Sequence, residues 1–222
     1  MDLMRLLRSL EEFLYELVGW LVFYPRTFWS VLVHPGAIAR YTRLELARDP
    51  DDQFKDTLSP VLMLILSVGL AHAMEMMAAL PLPQPSSELG RRLFGTDEGL
   101  LLSRSAVFCI YALGAALATL RRERRPITRD TLREPFSIQA FLACPFVLIL
   151  SAAMLMYRAQ SDAVRTGGLV VQVLAMVWYV FARAQAYHAL YRGPWPRIVG
   201  GVVLWFLMTT AFVLLLVAAI VL

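Results

Sequence analysis

Residues 168–222 are almost continuously apolar, broken mainly by Arg183, His188, Arg192, Gly193-Pro194-Trp195-Pro196 and Arg197. A soluble helix needs a polar face, whereas lipid accepts an apolar surface on every side. Crossing ~30 Å of hydrocarbon at a rise of 1.5 Å per residue takes about 20 mostly apolar residues. Five segments meet that length, roughly 58–80, 100–120, 136–157, 168–190 and 198–222. None alternates as barrel strands do. With 59% hydrophobic residues and a mean hydropathy of +0.60, the chain falls outside the soluble globular class.

The polar stretches between these segments are short, so a single bundle is expected rather than two globular units. The reading is an all-α integral membrane protein, a five-transmembrane-helix bundle preceded by an N-terminal amphipathic interfacial helix. Residues 1–56 form the cytoplasmic or interfacial helical segment and residues 57–222 the spanning domain. No cleavable signal peptide is recognised at the start, so the first span is expected to act as the insertion signal.

The formal charge of +4 is carried by arginine, with Lys55 the only lysine. These charges lie between spans, which points to topology and anionic lipid rather than nucleic acid. Lys/Arg bias sets orientation. Sixteen such residues fall before span 1, between spans 2 and 3, or around the turn between spans 4 and 5. The other side has five: Arg91, Arg92, Arg104, Arg158 and Arg165. The bias predicts a cytoplasmic N-terminus and, after five crossings, a C-terminus on the far side. The preference for arginine over lysine suggests a GC-rich bacterial genome, so the membrane is expected to be a bacterial inner membrane and the C-terminus periplasmic.

Over residues 2–24, Leu3, Leu6, Leu7, Leu10, Phe13, Leu14, Leu17, Val18 and Leu21 recur at helical spacing. Asp2, Arg5, Arg8, Ser9, Glu12 and Glu16 fall largely on the other face. An in-plane interfacial helix fits, ended by Pro25-Arg26 before it is long enough to span. The competing reading is a sixth span or a re-entrant hairpin over residues 13–33. A short second helix is expected over 37–48, and an irregular loop over 81–99. Pro145 is expected to kink span 3 or to free a carbonyl. Trp178, Tyr179, Tyr187, Tyr191 and Trp195 read as an interfacial aromatic belt.

Polar residues within the spans are few. His72 and Glu75, three apart, share a helix face. An ionised carboxylate at mid-bilayer costs at least ~2.5–3.5 kcal/mol, so such a pair marks a proton or cation site when it is deep. The plainer alternative places Glu75 near the outer interface and His72 in a packing contact. Arg104, at the start of span 2, is a partner for Glu75 at similar depth. Gln139 and Gln172 read as interhelical hydrogen-bond groups. Arg183 and His188 read as side chains that reach outward to headgroups. Ala112, Gly114, Ala115, Ala116 and Ala118 give span 2 a small-residue face for close packing.

Cys109 and Cys144, within spans 2 and 3, read as small reduced hydrophobes, and three scattered histidines make no metal set. The sequence has no Gly-Lys-Ser/Thr phosphate loop and no Gly-x-Ser-x-Gly elbow. No catalytic, metal or cofactor residue is therefore assigned, and the chain is read as not an enzyme.

The layout resembles the Yip family of five-span membrane proteins, whose eukaryotic members interact with Rab-type GTPases. Phe136-Ser137-Ile138-Gln139-Ala140-Phe141-Leu142-Ala143-Cys144-Pro145 is similar to that family's mid-span proline segment. So is Val177-Trp178-Tyr179, followed by a short turn and Arg197. The resemblance covers about residues 56–222 and implies architecture without a catalytic residue. The Asp-Leu-Tyr-Gly-Pro stretch of the eukaryotic members is missing, so their Rab partnership is not implied.

The function expected from the sequence is a non-catalytic scaffold or accessory subunit at the cytoplasmic face. Arg5, Arg8, Arg121, Arg122, Arg124 and Arg125 would contact lipid headgroups, a protein partner or a second copy. The alternative is a small permease or proton-coupled channel using His72, Glu75 and Arg104.

Overall fold

In the computed structural model, which describes residues 3–78, 82 and 84–221, the described residues form eight α-helices and no strand. These are α1 (Leu3–Val33), α2 (Pro35–Leu46), α3 (Pro60–Met77), α4 (Glu88–Phe94), α5 (Asp97–Arg122), α6 (Arg129–Tyr157), α7 (Asp162–Tyr191) and α8 (Trp195–Val221). The side chains of residues 3–7, 12, 13 and 16, Arg5 among them, lie outside the described residues, as do Pro81 and Pro83. Five helices, α3 and α5 to α8, are long and apolar enough to cross a membrane, as a multi-pass membrane protein requires.

Local chemistry sets the helix ends. Ser59 caps α3, its hydroxyl accepting from the Leu62 amide at 3.4 Å, and Pro60 takes the first position, where its missing donor costs little. Thr96 caps α5 through the Gly99 amide at 3.1 Å. Thr128 and Thr131 close a reciprocal capping box on α6. Between α7 and α8, Arg192 and Gly193 adopt φ of 50° and 149°, and this short turn makes the two helices antiparallel neighbours.

Helix α6 is central. Within the most apolar window of each helix, 67% of α6 residues are buried against 17% of α8. Phe141, Leu142, Ala143, Cys144 and Val147 are wholly buried, while Leu204, Leu207, Phe212 and Leu215 of α8 face outward. The outward leucines give the chain the lipid-facing surface that its sequence demands. An aromatic cluster ties α5 to α8 through the core. Phe146 stacks on Tyr179 with ring centroids 4.5 Å apart, and Tyr111 and Phe206 pack at its edges. Pro135 and Pro145 both lie within α6 without ending it. Pro145 has no amide hydrogen to give the Phe141 carbonyl, and close packing on every side holds the helix together there.

Three expectations change. The first concerns α1, which does not stop at Pro25-Arg26 but continues to Val33 with Pro25 inside it. A proline removes one helical hydrogen bond, and tertiary contacts on either side of it compensate. Tyr24 hydrogen-bonds the Ser67 hydroxyl at 2.8 Å, Thr27 and Val31 are buried, and the Trp178 indole donates to the Leu32 carbonyl at 3.1 Å. The second concerns Trp178 and Tyr179, which are not at an interfacial belt. Trp178 precedes the end of α7 by about 20 Å of helix, and Tyr179 is fully buried in the aromatic cluster. The third concerns the 81–99 loop, which holds helix α4. Ser86 and Ser87 fasten α4 to the end of α8 by hydrogen-bonding the Val221 and Ile220 carbonyls.

Since Leu32 lies beside Trp178, the α1–α2 junction at His34 lies alongside the middle of α7. Helix α2 then follows α7 toward its C-terminal end. Gly36 abuts Gln185 and Ala189, and Arg43 lies over the Tyr191 ring at 5.0 Å. Past α2, the buried Glu45 side chain holds the connecting turn by accepting from the Phe54 amide at 2.7 Å and from Arg48 at 2.8 Å. Phe54 takes a φ of 56°, which costs a non-glycine residue energy, and its ring packs edge-on against Phe141 in return.

Candidate functional site

Two groups of polar side chains interrupt the apolar bundle, one at each end. At the arginine-poor end, Arg104 of α5 forms an ion pair with Glu75 of α3. Glu75 lies two residues before the end of α3, and Arg104 about 10 Å along α5 from its start. The pair therefore sits near the end of the bundle rather than at mid-depth. One guanidinium nitrogen of Arg104, Nη1, is buried without a partner among the described residues. His72 is buried one turn deeper, and its Nδ1 likewise meets no partner there. No hydrogen bond links His72 to the pair among the described residues. The three residues share a neighbourhood without forming a continuous proton path.

The opposite end gathers the arginines. Helices α5, α6, α7 and α8 enclose a cavity of about 310 Å³ there. Its polar lining is Thr119, Arg121, Arg122, Gln139, Arg183 and Tyr187. Ala115, Ala118, Gly201, Val202 and Trp205 complete the wall. Arg121 and Arg122 are exposed at the rim, whereas Arg183 and Gln139 are buried, at 4% and 7% relative exposure.

Aromatic faces hold these guanidinium groups in place. Arg122 lies over Tyr187 at 4.4 Å, Arg121 over Trp205 at 5.5 Å and Arg183 over Tyr179 at 5.5 Å. Such stacking suits the flat, weakly hydrated guanidinium and leaves its edge N–H groups free to donate. Small residues make room. Gly201 lies where a Cβ would come within 3.1 Å of Arg122 Nη1. Gly114 brings α5 onto Thr209 of α8, so a Cβ there would meet Thr209 Oγ1 at 2.8 Å.

No carboxylate reaches Arg121, Arg122 or Arg183 at ion-pair distance among the described residues. Glu123 accepts a hydrogen bond from the Tyr187 hydroxyl. The Nε of Arg183 and the Oε1 of Gln139 are buried without partners among the described residues. An arginine within a span costs at least ~2.5–3.5 kcal/mol on insertion scales, so this site concentrates uncompensated positive charge.

The sequence readings fare differently at this site. Arg183, expected to reach out to headgroups, is buried instead, because α7 turns it toward α5 and α8. Gln139, expected to bridge helices, makes no side-chain hydrogen bond among the described residues and lines the cavity. Arg121 and Arg122 do lie at the exposed end of α5, and Arg124 and Arg125 are exposed in the turn beyond it, where Arg124 has φ 52°. Arg8 is exposed on α1. His188 stacks on Trp195 at 4.8 Å.

A clamp that the sequence reading missed lies beside the cavity, where Arg43 pairs with Glu134 at 2.6 Å. The two are 91 residues apart, and no local pattern signals the contact. Among the described residues, no group of three or more His, Cys, Asp or Glu side chains is placed to hold a metal ion. No protein-family model, curated protein or solved structure matches the chain.

Proposed function

We propose that the protein is a non-catalytic, polytopic membrane scaffold or accessory subunit whose arginine-rich end engages anionic lipid headgroups and, through them or beside them, a protein partner. One observation carries this reading. Arg121 and Arg122 are laid on aromatic faces at the end of α5, exposed and without acid partners among the described residues. Guanidinium groups so placed complement the negative surface of a membrane, at about 1 kcal/mol each.

In this reading the arginine-rich end faces the cytoplasm of a bacterial cell. The polar front of α1 lies at that interface, and its apolar part, Leu17–Val33, turns into the bundle with α2 as a re-entrant hairpin. The contacts of Tyr24 and Leu32 support the hairpin. The five-span layout is also the basis for placing the chain beside the Yip family in architecture. A small permease using His72, Glu75 and Arg104 has less support, since Glu75 and Arg104 neutralise each other near one end of the bundle.

The test is tryptophan quenching in reconstituted bilayers. Brominated phosphatidylglycerol should quench more strongly than brominated phosphatidylcholine. The difference should vanish when Arg121, Arg122, Arg124 and Arg125 are all replaced by glutamine. Equal quenching by the two lipids in the unaltered protein would remove the reading.

A further inference from the structure

We propose that the cavity between α5, α6, α7 and α8 is a binding site for a phosphomonoester group, with Arg183 at its floor and Arg121 and Arg122 at its rim. The inference deepens the headgroup-binding reading given above, and on the lipid side it rests on that reading.

Charge is the first argument. Three guanidinium groups line or edge one cavity of about 310 Å³, a volume within the range of small-molecule sites. Glu123, which accepts from the Tyr187 hydroxyl that lines the cavity, is paired with none of the three, and counting its charge leaves the cluster a net charge of about +2. A phosphomonoester carries about that charge with opposite sign near neutral pH, whereas a carboxylate or a phosphodiester carries one.

Geometry is the second. Arginine donates in a planar fork that matches phosphate oxygens. The rings of Trp205, Tyr187 and Tyr179 lie 5.5, 4.4 and 5.5 Å from the three guanidinium carbons, where they restrict the positions of the forks. Gly201 leaves the room that Arg122 occupies against α8. Burial is the third. Arg183 is more than nine-tenths buried and meets no carboxylate among the described residues, and its Nε has no partner there. A buried cation without a counter-charge persists in a fold when a ligand supplies that charge. The same floor holds Gln139, whose buried Oε1 has no donor among the described residues and can accept a phosphomonoester or headgroup O–H, while its NH₂ group can donate to an ester oxygen. The wall of Ala118, Val202 and Trp205 is apolar and suits the first atoms of an acyl-bearing backbone.

The phosphate can come from a lipid headgroup or from solution, and the experiment separates the two. The full-length protein in mild detergent is titrated with dioleoyl phosphatidic acid, phosphatidylglycerol or phosphatidylcholine and read by native mass spectrometry. Phosphatidic acid should be retained most and phosphatidylcholine least. Arg183→Met should weaken phosphatidic acid retention by tenfold or more. Arg158→Gln, at the other end of the bundle, should leave it unchanged. Inorganic phosphate that displaces the lipid at millimolar concentration identifies a free-phosphate site, and failure to displace it identifies a headgroup site. Both results require dependence on Arg183.

If Arg183→Met does not yield a monodisperse protein, Gly201→Ala and Gln139→Leu test the same cavity from α8 and α6. Both should lower retention. Retention unchanged in a folded Arg183→Met protein, or in both of the other variants, overturns the site. The quenching assay on Arg183→Met keeps the two readings apart. A persistent preference for anionic lipid with no Arg183-dependent retention sinks the cavity site alone. Arg183-dependent retention without the bulk preference sinks the scaffold reading alone.

Discussion

Arg43 of α2 and Glu134 of α6 form an ion pair at 2.6 Å, and the same guanidinium lies over the Tyr191 ring of α7 at 5.0 Å. One side chain thus binds the N-terminal hairpin to two spans at the arginine-rich end. Partly exposed pairs of this kind contribute about 0.2–1 kcal/mol, and a cation–π contact adds a comparable amount. Replacing Arg43 with Met should lower stability by roughly 1 kcal/mol. It should also make the turn after α2 more sensitive to protease. A melting curve in detergent and limited proteolysis check this, and Glu134→Gln should reproduce most of the effect. Unchanged melting and cleavage in both variants would show that α2 is held by its apolar contacts alone.

Gly114 sets the approach of α5 to α8, because a Cβ there would fall 2.8 Å from Thr209 Oγ1 and 3.2 Å from Thr209 Cγ2. Gly114→Val should force the helices apart, at a cost of about 1–3 kcal/mol. Pairing it with Thr209→Ala should recover part of the loss, since the clash is with that side chain. Thermal unfolding of the single and double variants gives the comparison. Simple additivity of the two changes would place the strain elsewhere.

Glu75→Gln should reduce stability by about 1–3 kcal/mol, because it leaves the partly buried Arg104 guanidinium without its counter-charge. It should leave proton flux into proteoliposomes at the level seen with the unaltered protein and with empty vesicles. A flux present in the unaltered protein and abolished by Glu75→Gln would instead reinstate the permease.

Reporter tags at the two termini should be found on opposite sides of the membrane, the N-terminal one with the arginine-rich end. A re-entrant hairpin of α1 and α2, as proposed above, would enter and leave on the same side and would not change the parity of five crossings. Both tags in one compartment would mean that α1 spans.

Much of the architecture is legible along the chain because insertion into lipid responds to local properties. Segments at 58–80 and 136–157 read as spans for their apolar length alone; helix α3 falls within the first, from Pro60 to Met77, and α6 covers the second, starting seven residues earlier at Arg129. Ser59-Pro60 reads as a helix start, and it is one. Pairing across helices is less legible. Glu75 and Arg104 match by depth along the chain, and the structure pairs them. Arg43 and Glu134 carry no such cue.

What the sequence determined by itself is the set of apolar rods and the end at which arginine accumulates, since twenty apolar residues or a run of cations act wherever the chain folds. What only the tertiary structure decided is which charges are neutralised. Arg183 reads along the chain as a side chain near a span end, free to reach water. Packing of α7 against α6 and α8 instead turns it inward, beside Gln139 and away from any carboxylate among the described residues. Pro25 reads as a stop, yet the contacts of Tyr24 and Leu32 carry α1 past it. In both cases the deciding energies come from neighbours on other helices, and no local window of sequence contains them.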